Sequence, residues 1–72
     1  MTTFNHALDH DRLAGKVALI SGAAHRVGAA MARVLHAQGM NLVLHYRLSG
    51  AAAQRLQAEL HAIRADSVAL VQ

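Results

Sequence analysis

The 72-residue sequence has no cysteine and no proline. Without cysteine there is neither a disulfide framework nor a thiolate metal site, and the absence fits a reducing compartment. Aromatic residues are nearly missing, at one Phe, one Tyr and no Trp, so Ala, Leu and Val supply most of a hydrophobic fraction of 54%. That fraction excludes a disordered composition, and small aliphatic side chains suit helix-on-sheet packing better than an all-β core. Acidic residues are scarce: 4 against 7 Lys and Arg, for a formal net charge of +3. The arginines at 12, 26, 33, 47, 55 and 64 stand singly. They lack the clustered basic face of a nucleic-acid binder and read as solvated positions with one or two anion contacts. No apolar run approaches the roughly 18 residues that span a membrane. The polar opening, Met1 to Arg12, has no apolar signal segment. The expectation is a cytoplasmic protein with no nucleic-acid or membrane partner.

What is present is an alternation of apolar runs. Residues 1–13 are polar and aperiodic and are expected to form a flexible tail. His6 and His10 lie four apart beside Asp9 and Asp11, but a pair with no third ligand on a rigid element assigns no metal. A short continuous run, Val17 to Ile20, predicts a central parallel strand buried on both faces. From Arg26 to Gln38 the apolar residues Val27, Met31, Val34 and Leu35 mark one helical stripe, closed by Gly39 at the position after the cap. Met40 to Tyr46 predicts a second strand. Ser49 offers a cap for a second helix with the stripe Leu56, Leu60 and Ile63, while Arg55, Glu59 and Arg64 fall on its wetter side. Asp66-Ser67 turns the chain into a third strand, Val68 to Val71. Strands alternating with helices imply a parallel sheet with right-handed crossovers. The fold class is α/β: a Rossmann-like, doubly wound parallel sheet, of which residues 14–72 form the amino-terminal β-α-β-α-β half.

The candidate chemistry lies at Ser21-Gly22-Ala23-Ala24-His25-Arg26-Val27-Gly28, between the first strand and first helix. A tight glycine turn at this place presents backbone N–H groups and the positive end of a helix to a phosphate. Gly22 gives the sharp exit from the strand; Gly28 lets the helix come close to the sheet, or a ligand come close to the helix. The pattern is neither G-x-G-x-x-G nor a P-loop, since no Gly-Lys-Ser/Thr follows the turn. Taken alone it is equally a βα turn without a ligand.

A second signal stands at the end of the second strand, His45-Tyr46-Arg47-Leu48-Ser49. A dinucleotide fold places a carboxylate there to hold the ribose 2′-OH of NAD, or an arginine to accommodate the 2′-phosphate of NADP. Here the carboxylate is missing and Arg47 is present. Ser49 would donate its hydroxyl or N–H to the same phosphate, and Arg26 would approach from the first turn. Singly, Arg47 reads as a surface arginine, Ser49 as a helix cap, His45 as cover for the sheet and Tyr46 as packing. Together, after a glycine turn, they point to NADPH.

From Leu13 to Gln72 the chain resembles the amino-terminal part of the short-chain dehydrogenase/reductase family. Leu13-Ala-Gly-Lys-Val-Ala-Leu-Ile-Ser-Gly-Ala-Ala looks like its opening strand and turn, with Ser21 in place of the more usual Thr. Gly22-x-x-His25-Arg26-x-Gly28 together with His45-Tyr46-Arg47 is similar to the pteridine reductase branch; Leu48 departs, where that branch often has a polar or basic residue. The resemblance implies NADPH as cofactor, with Gly22, His25, Arg26, Val27, Gly28, His45, Tyr46, Arg47 and Ser49 as its contacts. Arg26 would touch the cofactor phosphates and border the substrate pocket. It also implies hydride transfer to a pterin or dihydrofolate-type substrate or to a carbonyl substrate, and an assembly of identical chains. The family's catalytic Tyr-x-x-x-Lys pair is absent: the one tyrosine is Tyr46 and the one lysine Lys16. The chain is therefore expected to hold no catalytic residue, to be inactive alone, and to be marginally stable with the first strand's edge unpaired. A 3-oxoacyl-thioester or sugar ketone reductase, and a non-catalytic nucleotide-binding module, are the alternatives.

Overall fold

The computed structural model of the chain describes residues 13–23 and 25–72. The expected tail, with its His6 and His10 pair, lies outside the described residues apart from Leu13. The elements follow the expected order: β1 (Val17–Ser21), α1 (Arg26–Ala37), β2 (Asn41–His45), α2 (Gly50–Ile63) and β3 (Val68–Val71). The three strands are parallel in the order β1-β2-β3, with Val17 opposite Asn41 and Leu42 opposite Val68. Because both crossovers step the same way across the sheet, both helices fall on one face. There Ile20, Leu42, Leu44 and Val68 meet Ala32 of α1 and Leu56 and Leu60 of α2 to form the core. Gly39 follows α1 with φ +92°, as a left-handed closing residue.

Burial differs from expectation in three places. Val17 to Ile20 is covered on the helix face only: Ile20 is buried, whereas Leu19 is 68% exposed. The face carrying Val17, Leu19 and Val71 has no layer over it among the described residues. In α1 the stripe Val27, Met31, Val34 faces away from the sheet, and Val27 is 74% exposed. The residues that meet the sheet are Gly28, Ala32 and His36. Small residues win because they let the helix axis approach the strands, so the larger aliphatic stripe is turned outward. In α2, Leu56 and Leu60 are buried but Ile63, in the last turn, is exposed.

The amino ends of β2 and β3 close on a polar network. His36 Nε2 lies 2.7 Å from Ser67 Oγ, and the Ser67 hydroxyl donates to the Arg64 carbonyl at 2.6 Å. The hydroxyl has one proton and the carbonyl can only accept, so the proton between His36 and Ser67 belongs to Nε2 of the imidazole. Arg64, expected on the wet side, is half-buried and donates to the carbonyls of His36 at the end of α1 and of Met40 before β2. Burial pushes the His36 pKa below its ordinary value, and the nearby Arg64 and His61 add to that. On the outer edge of β3, Gln57 Nε2 donates to the Val68 carbonyl at 2.9 Å, and the Val68 N–H meets His61 Nε2 at 3.3 Å. Side chains of α2 thus occupy backbone groups that an edge strand otherwise leaves open.

Candidate functional site

The turn after β1 is built on two glycines with different physical reasons. Gly22 has φ +64°, a left-handed conformation that a Cβ disfavours. Gly28 has ordinary helical geometry, but a Cβ there would collide with the Gly22 carbonyl oxygen and lie 3.0 Å from Ala23 Cα. Gly28 therefore serves the packing of α1 onto the turn. His25 occupies the N-cap of α1 in extended conformation; its N–H donates to the Gly22 carbonyl at 3.0 Å, and its side chain makes no capping bond among the described residues. Helix geometry leaves the first N–H groups of α1 without intrahelical acceptors, a local positive pole beside the turn. The buried Ala23 donates its N–H to the His45 carbonyl at 3.3 Å, tying the turn to the end of β2.

Ser21, Gly22, His25, His45, Tyr46, Arg47, Leu48 and Ser49 line one cleft of about 470 Å³ at the carboxyl ends of β1 and β2. In open α/β sheets this is where ligands bind. Six of the nine residues singled out from the sequence meet here: Gly22, His25, His45, Tyr46, Arg47 and Ser49. The lining contains Arg47, His25 and His45 and no carboxylate, a composition suited to an anion. Arg47 makes no ion pair among the described residues. Ser49 stands at the N-cap of α2 but forms no side-chain capping bond there among the described residues, unlike the expectation from its position. Its hydroxyl is left to the cleft.

The other three residues lie elsewhere. Gly28 is buried beneath the turn. Arg26 and Val27 are exposed and line an apolar groove of about 800 Å³ along α1 with Ala30, Met31, Val34 and Leu35. Ser21 and Leu48 were not singled out as site residues. Ser21 lies on the strand face opposite Ile20, so strand periodicity aims it away from the core. Leu48, 93% exposed, forms an apolar lip on the cleft that a residue count gives no reason to notice. The chemistry of the lining fits a dinucleotide phosphate: a glycine turn, a helix pole, a hydroxyl and an arginine, with no acid to repel the anion.

Fold and cleft together define a β-α-β-α-β portion of an open, parallel α/β sheet with a cleft at the carboxyl ends of its first two strands. No family model matches the chain. It is 48% identical over 56 residues to pteridine reductase 1 of Leishmania tarentolae, covering 78% of this chain and 19% of that protein. It is 39% identical over 62 residues to versicolorin reductase 1 of Aspergillus parasiticus, covering 86% and 24%. Against a short chain dehydrogenase of Emericella nidulans it is 40% identical over 70 residues, covering 97% and 26%. The chain belongs to the short-chain dehydrogenase/reductase family, corresponding to its amino-terminal part, and spans about a fifth to a quarter of the length of these curated relatives.

Proposed function

We propose that this chain is the cofactor-binding part of an NADPH-dependent reductase of the pteridine reductase type. The observation that carries the reading is the cleft in which Arg47 and Ser49 face the Gly22 turn with no carboxylate in the lining. The turn and the start of α1 would hold the diphosphate, with Arg26 adding charge where α1 begins. Arg47 and Ser49 would take the 2′-phosphate. His25, His45 and Tyr46 would line the path between the two. When bound, the cofactor supplies the hydride, and the protein's part here is to fix its phosphates. The 72 residues contain no Tyr-x-x-x-Lys, so proton donation to the substrate needs residues beyond those in this sequence, and the chain alone binds without turning over. A cytoplasmic location and an assembly of identical chains belong to the same reading.

The similarity to a protein named versicolorin reductase favours a second reading, in which the substrate is a carbonyl compound rather than a pterin. The two readings share this half-domain and separate on which substrate class drives NADPH oxidation. Arg47→Asp tests the part they share. It replaces an attractive charge with a repulsive one, and is expected to weaken NADPH binding about a hundredfold while leaving NADH near its original affinity. Equal weakening of both nucleotides would remove Arg47 from the 2′-phosphate.

A further inference from the structure

The loop that carries Arg47 is held from outside at both of its ends. On one side, the Tyr46 N–H donates to the Val71 carbonyl at 3.0 Å, the last rung between the β2 and β3 segments. One residue further, Gln72 Nε2 donates to the Arg47 carbonyl at 3.2 Å. On the other side, the Tyr46 ring lies against the start of α2, so close that a Cβ on Gly50 would sit 3.3 Å from Tyr46 Cε2. The backbone of Arg47 is therefore anchored, while its guanidinium is exposed and forms no ion pair among the described residues.

We infer that Gln72 is a positioning residue for Arg47, and through it a determinant of the preference for the phosphorylated dinucleotide. The inference rests on the reading of Arg47 as the 2′-phosphate contact. A long cationic side chain loses freedom when it captures a phosphate, and any freedom of the backbone beneath it is lost as well. A donor fixed to the Arg47 carbonyl removes the backbone share of that cost before the ligand arrives. An amide suits the place. A carboxylate at the same reach would offer only acceptors to a carbonyl and would bring negative charge toward the site that receives the phosphate.

The test is a titration of the intact protein with NADPH and with NADH, followed by nicotinamide fluorescence, alongside its unfolding midpoint. Gln72→Met keeps the side-chain length and removes the donor. Its NADPH Kd is expected to rise about fivefold, with NADH affinity and the midpoint unchanged. In an Arg47→Ala background the same substitution is expected to change neither Kd. If Gln72→Met leaves the NADPH-to-NADH ratio intact while Arg47→Ala abolishes it, the positioning role is overturned and the reading of Arg47 stands. If Arg47→Ala does not alter the ratio, both fall. Equal loss of the two nucleotides with a lower midpoint would make Gln72 a structural residue and likewise overturn the proposal.

Discussion

The two ends of the sheet use polar residues in opposite ways. At the amino end, His36, Ser67 and Arg64 satisfy one another and the carbonyls that finish α1 and lead into β2. At the carboxyl end, Ser21, His45, Arg47 and Ser49 surround a cleft, and the backbone bonds there fix the loops and leave the side chains available. The same residue types close a structure at one end and present a surface at the other. Loop composition does not make the difference. The start of β3 brings Ser67 and Arg64 under the end of α1, whereas at the other end the turn and β2 meet through backbone, by the Ala23 N–H on the His45 carbonyl, and the side chains are left around the cleft.

The sharpest way to break this contrast is to attack the turn. Gly28→Ala places a methyl group against the Gly22 carbonyl and 3.0 Å from Ala23 Cα. Both neighbours are backbone and cannot rotate aside, so the helix or the turn must move. A loss of about 3 kcal/mol in urea unfolding is expected, the upper part of the usual range for overpacking. Retention of the parent midpoint would show that α1 does not rest on the turn in this way, and the carboxyl end would lose its rigid frame.

At the amino end the comparison is sharpened by pH. The His36 pKa is depressed in the folded state by burial, with Arg64 and His61 contributing. Unfolded chains then bind a proton, below about pH 6.5, that the folded chain resists. Stability is full above that value and falls as pH drops through it toward the folded pKa, with a slope of at most about 1.4 kcal/mol per pH unit for one proton. Urea midpoints between pH 7 and 5 measure it, and His36→Gln, which keeps a donor near Ser67, is expected to flatten the slope. An unchanged slope would place the acid-sensitive group elsewhere.

The fold was legible because alternation of short apolar runs with helical stretches leaves few topologies, and the boundaries of α1 and β2 differ from expectation by at most one residue. The cleft was legible for a related reason: a strand end followed by glycine, and a second strand end followed by arginine, are placed side by side by the topology itself. What the sequence concealed is which face of α1 is buried. Val27, Met31 and Val34 carry more apolar surface than Gly28, Ala32 and His36, and an argument from side-chain hydrophobicity must choose the former. Closeness of approach decided otherwise, and a histidine no pattern singled out became part of the core. Arg64 was misplaced similarly, since nothing local says that the end of α1 will need its donors.

The smallest effect is expected where an ion pair is most conspicuous. Arg33 of α1 and Glu59 of α2 meet at 2.7 Å and 3.1 Å in a two-pronged contact, and the hydrogen bond raises the Arg33 pKa and lowers that of Glu59. Both side chains are about half exposed, at 52% and 46%, so water and salt screen the attraction and ordering two long side chains offsets much of it. Glu59→Gln should leave the unfolding midpoint nearly unchanged at physiological salt and produce a slight decrease at low salt. The depressed Glu59 pKa contributes stability above its ordinary value near 4.5, lost only as pH falls through and below it, so this substitution must not alter the slope between pH 7 and 5. If it does, or if it lowers the midpoint as far as protonating His36, then the exposed pair joins the helices, and the buried network at the amino end is not what distinguishes the two ends of the sheet.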